Sequence, residues 1–198
     1  MILFEEGAIQ DKLILNRPEK KNALNKETCE QILFTLERAK GTKAASLLLQ
    51  GAGNTFCSGA DLKEDLSIIF PLMLEVFKAL YYFPKPIVAY VEGYCLAGGM
   101  GLIATADIVC SHPDAIYGLP EVKKSIVPKM VTQLLGKIID SKYMLELALT
   151  GEFISAERAY HIGLINRIGD PIILEPSPAL AEIKKYYRES SPKFNLTL

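Results

Sequence analysis

Tryptophan is absent from the 198 residues and histidine occurs only twice. His112 and His161 stand in neither an HExxH frame nor another metal-binding spacing, so a zinc site or a Ser/His/Asp triad has little to build on. Paired cysteines are also missing. Cys29, Cys57, Cys95 and Cys110 form no CxxC motif and fit reduced, buried thiols of a cytoplasmic protein. Neither sign of charge dominates: 22 Lys and Arg against 23 Asp and Glu give a net charge of −1 and no electrostatic footing for nucleic acid or an anionic membrane. No apolar run reaches the roughly 18 residues of a membrane helix, because Lys85 and Glu92 bracket the strongest candidate. Residues 1–6 place no basic region ahead of an apolar stretch, so no secretory leader is expected. What remains is an ordered globular chain, 49% hydrophobic, suited to small-molecule chemistry or protein binding.

Alternating and continuous apolar runs predict strands at residues 1–6, 9–16, 45–50, 86–91, 107–111, 115–117 and 163–168. Helical spacing predicts helices after Asn25, over residues 66–83, from Met100 to Ala106, over 130–139 and 142–149, from Ser155, and over 179–189. Pro171, Pro176 and Pro178 punctuate a linker before the last helix, and residues 190–198 read as a loose tail. Strands alternating with helices imply an α/β fold with parallel pairing and ligands at the carboxyl ends of the strands.

Two of those strand ends carry glycine-rich turns. Residues 91–102 (VEGYCLAGGMGL) follow one apolar run and lead into a helix, so the amides at Gly98 and Gly99 sit where unpaired N–H groups and the helix dipole favour negative charge. Residues 51–61 (GAGNTFCSGAD) repeat the layout, which suggests two amide groups facing one pocket. A lone Gly-Gly is more often ordinary turn chemistry, with glycine needed for φ > 0 or close packing. A turn at residues 118–121 carries the carboxylate of Glu121.

Residues 16–24 (NRPEKKNAL), 56–63 (FCSGADLK), 85–93 (KPIVAYVEG) with 97–99 (AGG), 106–108 (ADI), 149–151 (LTG) with 154–156 (ISA), and 163–165 (GLI) occur in this order. In this the chain resembles the crotonase superfamily, the enoyl-CoA hydratase/isomerase family, from about residue 8 to residue 169. The resemblance implies a crotonase-like spiral of ββα repeats over residues 1–170. A short linker, helix and tail over 171–198 would stand in place of a longer C-terminal helical region. It implies an acyl-CoA thioester substrate, with coenzyme A entering as part of the substrate and no permanently bound cofactor or metal, and a homotrimer or hexamer. The positions matching the family's oxyanion amides are Ala60 and Gly98. CoA would lie along Lys20, Lys21 and Ala23 and along Ala60, Asp61, Leu62 and Lys63, although a solvated surface is the plainer reading of the lysines.

Family hydratases commonly use two glutamates, one three residues beyond the oxyanion glycine and one about twenty residues later. The corresponding residues here are Gly101 and Glu121. Glycine cannot exchange a proton, so a single acid/base at Glu121 is expected, as in the family's Δ3,Δ2-enoyl-CoA isomerases. Some bacterial family members named hydratases of branched or carboxylated enoyl-CoAs also carry Gly-Leu at the first position, so isomerisation and hydration both stay open. So do a catalytically weak acyl-CoA-binding or assembly member and a carrier-protein-linked dehydratase or decarboxylase. Glu121 also fits a structural partner for a helix beginning near Pro128. Lys129 fits either a solvated helix residue or a cation presented to an acidic substrate. Residues 179–187 could cover the pocket, or a neighbouring subunit could.

Overall fold

The computed structural model describes residues 1–190, 196 and 197. Strands β1 (Ile2–Glu5) and β2 (Gln10–Leu15) form an antiparallel hairpin, with Ile2 opposite Leu15 and Glu5 opposite Lys12. From β2 onward the larger sheet is parallel, through β3 (Ser46–Gly51), β5 (Ile87–Val91), β7 (Ile108–Ser111) and β10 (Arg167–Ile168), in the order β1-β2-β3-β5-β7-β10. A second sheet joins three short parallel strands, β4 (Thr55–Cys57), β6 (Tyr94–Leu96) and β8 (Ile116–Gly118), and is edged by antiparallel β9 (Phe153–Ser155). The helices are α1 (Lys26–Lys40), α2 (Leu66–Tyr81), α3 (Gly98–Thr105), α4 (Lys129–Leu135), α5 (Ser141–Thr150), α6 (Ala156–His161) and α7 (Ala179–Ser190), with 3-10 turns at Pro18–Lys20 and Pro120–Lys124.

Along the chain a repeat emerges. β3-β4-α2 and β5-β6-α3 each send one strand to the large sheet and the next to the small sheet, then cross back by a helix; β7-β8 starts a third turn and continues into the 3-10 turn that holds Glu121. Each repeat advances the chain by one strand in both sheets, which is the ββα spiral.

The continuous apolar runs of the large sheet are explained by cover on both faces. Leu47, Leu49, Ile87, Ala89 and Val91 point into the main core with α1 and α2, whereas Leu48, Val88 and Cys110 point to the opposite face under Ile172 and Leu174. Thus the proline-punctuated linker also serves as an apolar lid for the sheet. Capping follows the sequence: Asn25 Oδ1 accepts from the Thr28 amide, and Ser155 Oγ from the Arg158 amide.

Several predicted boundaries shift. The glycine-rich loops at 51–61 and 91–102 each contain a three-residue strand, β4 and β6, too short to show alternation. α3 starts at Gly98, two residues before Met100, and α4 stops at Leu135, short of Ile139. Of residues 163–168 only Arg167–Ile168 pairs as strand. Asn166 ends the preceding turn by exchanging two bonds with Val109, its amide donating to the Val109 carbonyl and its Oδ1 accepting from the Val109 amide. The predicted loose tail falls partly on residues 191–195 and 198, outside the described residues. Leu196 is buried, and Gln133 exchanges hydrogen bonds with the Thr197 backbone, so the tail is anchored there.

The turn after β4 and the start of α3 meet backbone to backbone. Gly59 has φ +95°, and a Cβ there would fall 2.6 Å from the Ala97 Cβ and 3.0 Å from the Gly98 nitrogen. A Cβ on Gly99 would fall 2.5 Å from the Cys57 carbonyl oxygen. Ala97 itself sits at φ 51°, ψ −120°, a conformation rarely adopted by a residue with a side chain. Gly59→Ala is therefore expected to lower stability by about 2–4 kcal/mol, read as a shift of the urea midpoint at unchanged slope.

Candidate active site

Five segments build one cavity of about 700 Å³: the turn after β2, the turn after β4, α2, the end of β6 with the start of α3, and the run from the Pro120–Lys124 turn into α4. The first two are laced together. Lys21 and Asn22 are both left-handed, with φ 54° and 52°, and buried Asn22 holds that shape by donating from Nδ2 to the carbonyls of Ala52 and Thr55 and accepting from the Arg17 amide. The Ser58 amide then donates to the Lys21 carbonyl at 3.1 Å, the Leu24 amide to Gly59 at 2.8 Å, and the Asp61 amide to Leu24 at 2.9 Å. In this parallel bridge both bonds flank Ala60, so the Ala60 N–H faces away from Leu24. It finds no acceptor among the described residues. The Gly98 N–H, first in α3, likewise has no carbonyl one turn earlier in its helix.

Arg17 clamps the lacing. Its Nη1 donates to Asp61 Oδ2 at 2.7 Å and to the Ala23 carbonyl at 3.3 Å, and the pair is largely shielded from solvent. The guanidinium holds the Asp61 carboxyl below the usual carboxylate range. Asp61 is thus a structural anion, neutralised in place.

Of the residues singled out from sequence, Lys21, Ala23, Ala60, Asp61, Leu62, Lys63, Gly98 and Glu121 all line the cavity. Lys20 does not. It ends the exposed 3-10 turn at Pro18–Lys20, and the left-handed step at Lys21 separates it from the cavity wall. Glu121 lies in a 3-10 turn that closes with Ser125 in the left-handed region, while the Ile126 amide donates to the Glu121 carbonyl. Its carboxyl oxygen Oε2 is buried without a hydrogen-bond partner, and burial pushes its pKa up. Asp61 and Glu121 are the two acidic residues on the cavity wall, and their environments drive them apart.

Gly101 lies one turn into α3, facing α2 instead of the cavity. A Cβ there would fall 2.5 Å from the Phe77 ring, and Phe77 is fully buried. Met73, one turn earlier on α2, rests against Gly98 in the same way, where a Cβ would meet its methyl at 2.5 Å. The missing carboxylate at position 101 is therefore not a simple deletion, because an aromatic ring closes the space it would cross.

The wall contributed by α2, including Leu66, Phe70 and Met73, and residues 126–131 carry no distinguishing signal in the sequence. Their apolar spacing reads equally well as core, and only the packing of α2 over α3 opens them to a cavity. Arg17 is equally hidden, because its partner lies 44 positions away. Lys129 lines the cavity from the first turn of α4 and remains exposed. α7 gives the cavity no residue. Lys184 and Arg188 fasten it to Asp107 at 2.7 and 2.8 Å, beside β5 and β7, so residues 179–187 do not form its cover.

Comparison with known proteins agrees with this architecture. The profile of the enoyl-CoA hydratase/isomerase family matches residues 6–173. The chain belongs to that family. It is 37% identical over 171 residues to a mevalonyl-coenzyme A hydratase of Aspergillus fumigatus, covering 79% of this chain and 61% of that protein. It is 32% identical over 194 residues to a crotonyl-CoA hydratase of Syntrophomonas wolfei, covering 93% and 73%. Among solved structures, an enoyl-CoA hydratase from Thermoplasma volcanium superposes with a TM-score of 0.86 at 25% identity, covering 96% of this chain and 84% of that one. The chain thus spans from three fifths to somewhat over four fifths of the length of these proteins. Among the described residues no helix is long and apolar enough to cross a membrane.

Two outcomes are expected. Asp61→Asn should destabilise the protein by about 1–3 kcal/mol by removing the charged acceptor of Arg17. Because the Asp61 pKa is depressed in the folded state, its contribution is complete above the ordinary carboxylate pKa and is lost as pH falls through the depressed value. The difference between wild type and variant in denaturant titrations should therefore vanish in strong acid. Gly101→Glu should lower the melting temperature, by several degrees for a cost of about 1–3 kcal/mol, and add no hydratase rate, since Phe77 obstructs the new side chain.

Proposed function

We propose that this chain is an acyl-CoA enzyme that stabilises a thioester enolate and moves protons with one carboxylate, Glu121, in double-bond isomerisation of an enoyl-CoA. The observation that carries the reading is the buried, unpartnered Oε2 of Glu121 in the same cavity as Ala60 and Gly98, whose amides find no acceptor among the described residues. In this reading the CoA moiety lies along Lys21, Ala23, Leu62 and Lys63, and the thioester oxygen accepts from the Ala60 and Gly98 amides. Glu121 takes a proton from C2 of a 3-enoyl thioester, and the C–H electron pair spreads into a dienolate whose charge rests on that oxygen. The acid so formed returns the proton at C4, giving the 2-enoyl product and the starting carboxylate. Each preorganised amide typically supplies roughly 3–4 kcal/mol to such a transition state. A base near neutrality is best matched to this transfer, and burial moves Glu121 in that direction.

Hydration of a 2-enoyl-CoA is the second reading, favoured by the hydratase names of relatives 32% to 37% identical. There Glu121 would guide a water without help from a second carboxylate. The two readings separate on substrate: wild type should convert 3-enoyl to 2-enoyl thioesters faster than it hydrates the 2-enoyl form. Glu121→Gln should reduce turnover by about 10²–10⁴-fold; loss of less than a few fold on both substrates removes Glu121 from the mechanism. With wild type, kcat/KM should rise with pH as Glu121 ionises, with its inflection above the usual carboxylate value, because the charged form is the base.

A further inference from the structure

Four lysines line the cavity, and they fall into two pairs on different walls. Lys21 and Lys63 belong to the laced turns after β2 and β4, the strip given to CoA above. Lys124 and Lys129 belong to the wall that carries Glu121. Lys124 follows Glu121 by three residues in the 3-10 turn, where residues i and i+3 eclipse, so both side chains project from one face. Lys129 opens α4 five residues later, across the exposed Val127 and the partly exposed Ile126 and Pro128, all of which line the same cavity. Among the described residues neither Lys124 nor Lys129 makes an ion pair, although the Lys124 charge acts on the Glu121 carboxyl at longer range, and Asp61 is already occupied by Arg17. The same cavity also has apolar wall, to which Phe70 and Met73 of α2 and Met130 of α4 contribute.

An acyl chain that starts at the Ala60 and Gly98 amides and passes Glu121 would run along the wall that carries Glu121, Lys124 and Lys129. A methyl terminus would give these two solvent-exposed cations no partner beyond water. A terminal carboxylate would satisfy both through charge-assisted hydrogen bonds. We infer that Lys124 and Lys129 form a carboxylate subsite, and that the preferred substrates are enoyl thioesters whose acyl chain ends in a carboxylate. This inference rests on the acyl-CoA reading above and adds the class of acyl group.

The test uses the full chain and two unreactive saturated thioesters of equal carbon number, glutaryl-CoA and pentanoyl-CoA, in titration calorimetry, so that it does not depend on turnover. Wild type is expected to bind glutaryl-CoA more tightly, and the ratio of the two affinities should fall roughly five- to tenfold in Lys129→Met and further in Lys124→Met/Lys129→Met, consistent with partly exposed charge pairs. Lys129→Arg should keep most of the ratio. Raising salt should reduce it in wild type and leave it flat in the double variant. A wild-type ratio near one, or equal losses for both thioesters in the variants, would overturn the subsite while leaving acyl-CoA binding intact; the second result would assign the lysines to the CoA phosphates. Binding of neither thioester would overturn the acyl-CoA reading and this inference with it.

Discussion

The close approach of the turn after β4 to the first residues of α3 is the contact on which the site depends. Gly59 and Gly99 let the two segments touch where a side chain would hold them apart, with hypothetical Cβ positions 2.5–2.6 Å from neighbouring atoms, and Gly98 leaves room for the Met73 methyl. The same contact holds Ala97 in a strained conformation and turns the first amide of α3 free of any helical partner. On the other side of the β4 turn, the bridge to Leu24 uses the bonds on either side of Ala60 and leaves the Ala60 amide free. Two unpaired donors in one cavity are thus the by-product of two ordinary backbone interactions.

Charge in the cavity is then sorted by burial and pairing. Asp61 is ionised beside Arg17 and spends its charge holding two turns together, whereas Glu121 is half-buried in the cavity wall with one oxygen unpaired and its pKa raised by burial. Carboxylates of the same chemistry thereby meet opposite environments, one paired and one not. The Phe77 ring against Gly101 reinforces the division, because it closes the helix face from which a further carboxylate would come.

Elsewhere the molecule uses charge for docking. Asp107 accepts from Lys184, from Arg188 and from the Ile87 amide, and the Arg188 guanidinium lies 3.8 Å above the Tyr81 ring. Three donors on one carboxylate seat α7 beside the large sheet, far enough round the molecule that it leaves the cavity to α2 and α4. Burial of Lys184 lowers its pKa against the pull of Asp107, so this seat combines charge pairing with the desolvation it must overcome.

The long elements were legible in the sequence because their signals are local. Asn25 and Ser155 announce helix starts, and the apolar runs at 45–50 and 86–91 announce buried strands. The order of short motifs was legible too: it identified the ββα spiral and singled out Ala60, Gly98 and Glu121, which the fold brings to one cavity. Strands β4, β6 and β9 were not legible, since three residues show no period and their partners lie some 20 to 40 positions away. Tertiary structure alone decided that Lys20 leaves the cavity while Lys21 lines it, and that Arg17 occupies Asp61. It alone decided that Phe77 fills the face of Gly101, that α7 docks away from the cavity, and that Lys124 and Lys129 share a wall with Glu121. The physical reason is common to these cases: residue type and spacing determine what a segment can form by itself, but close approach, burial and charge pairing belong to segments distant in the chain and exist only once they are packed.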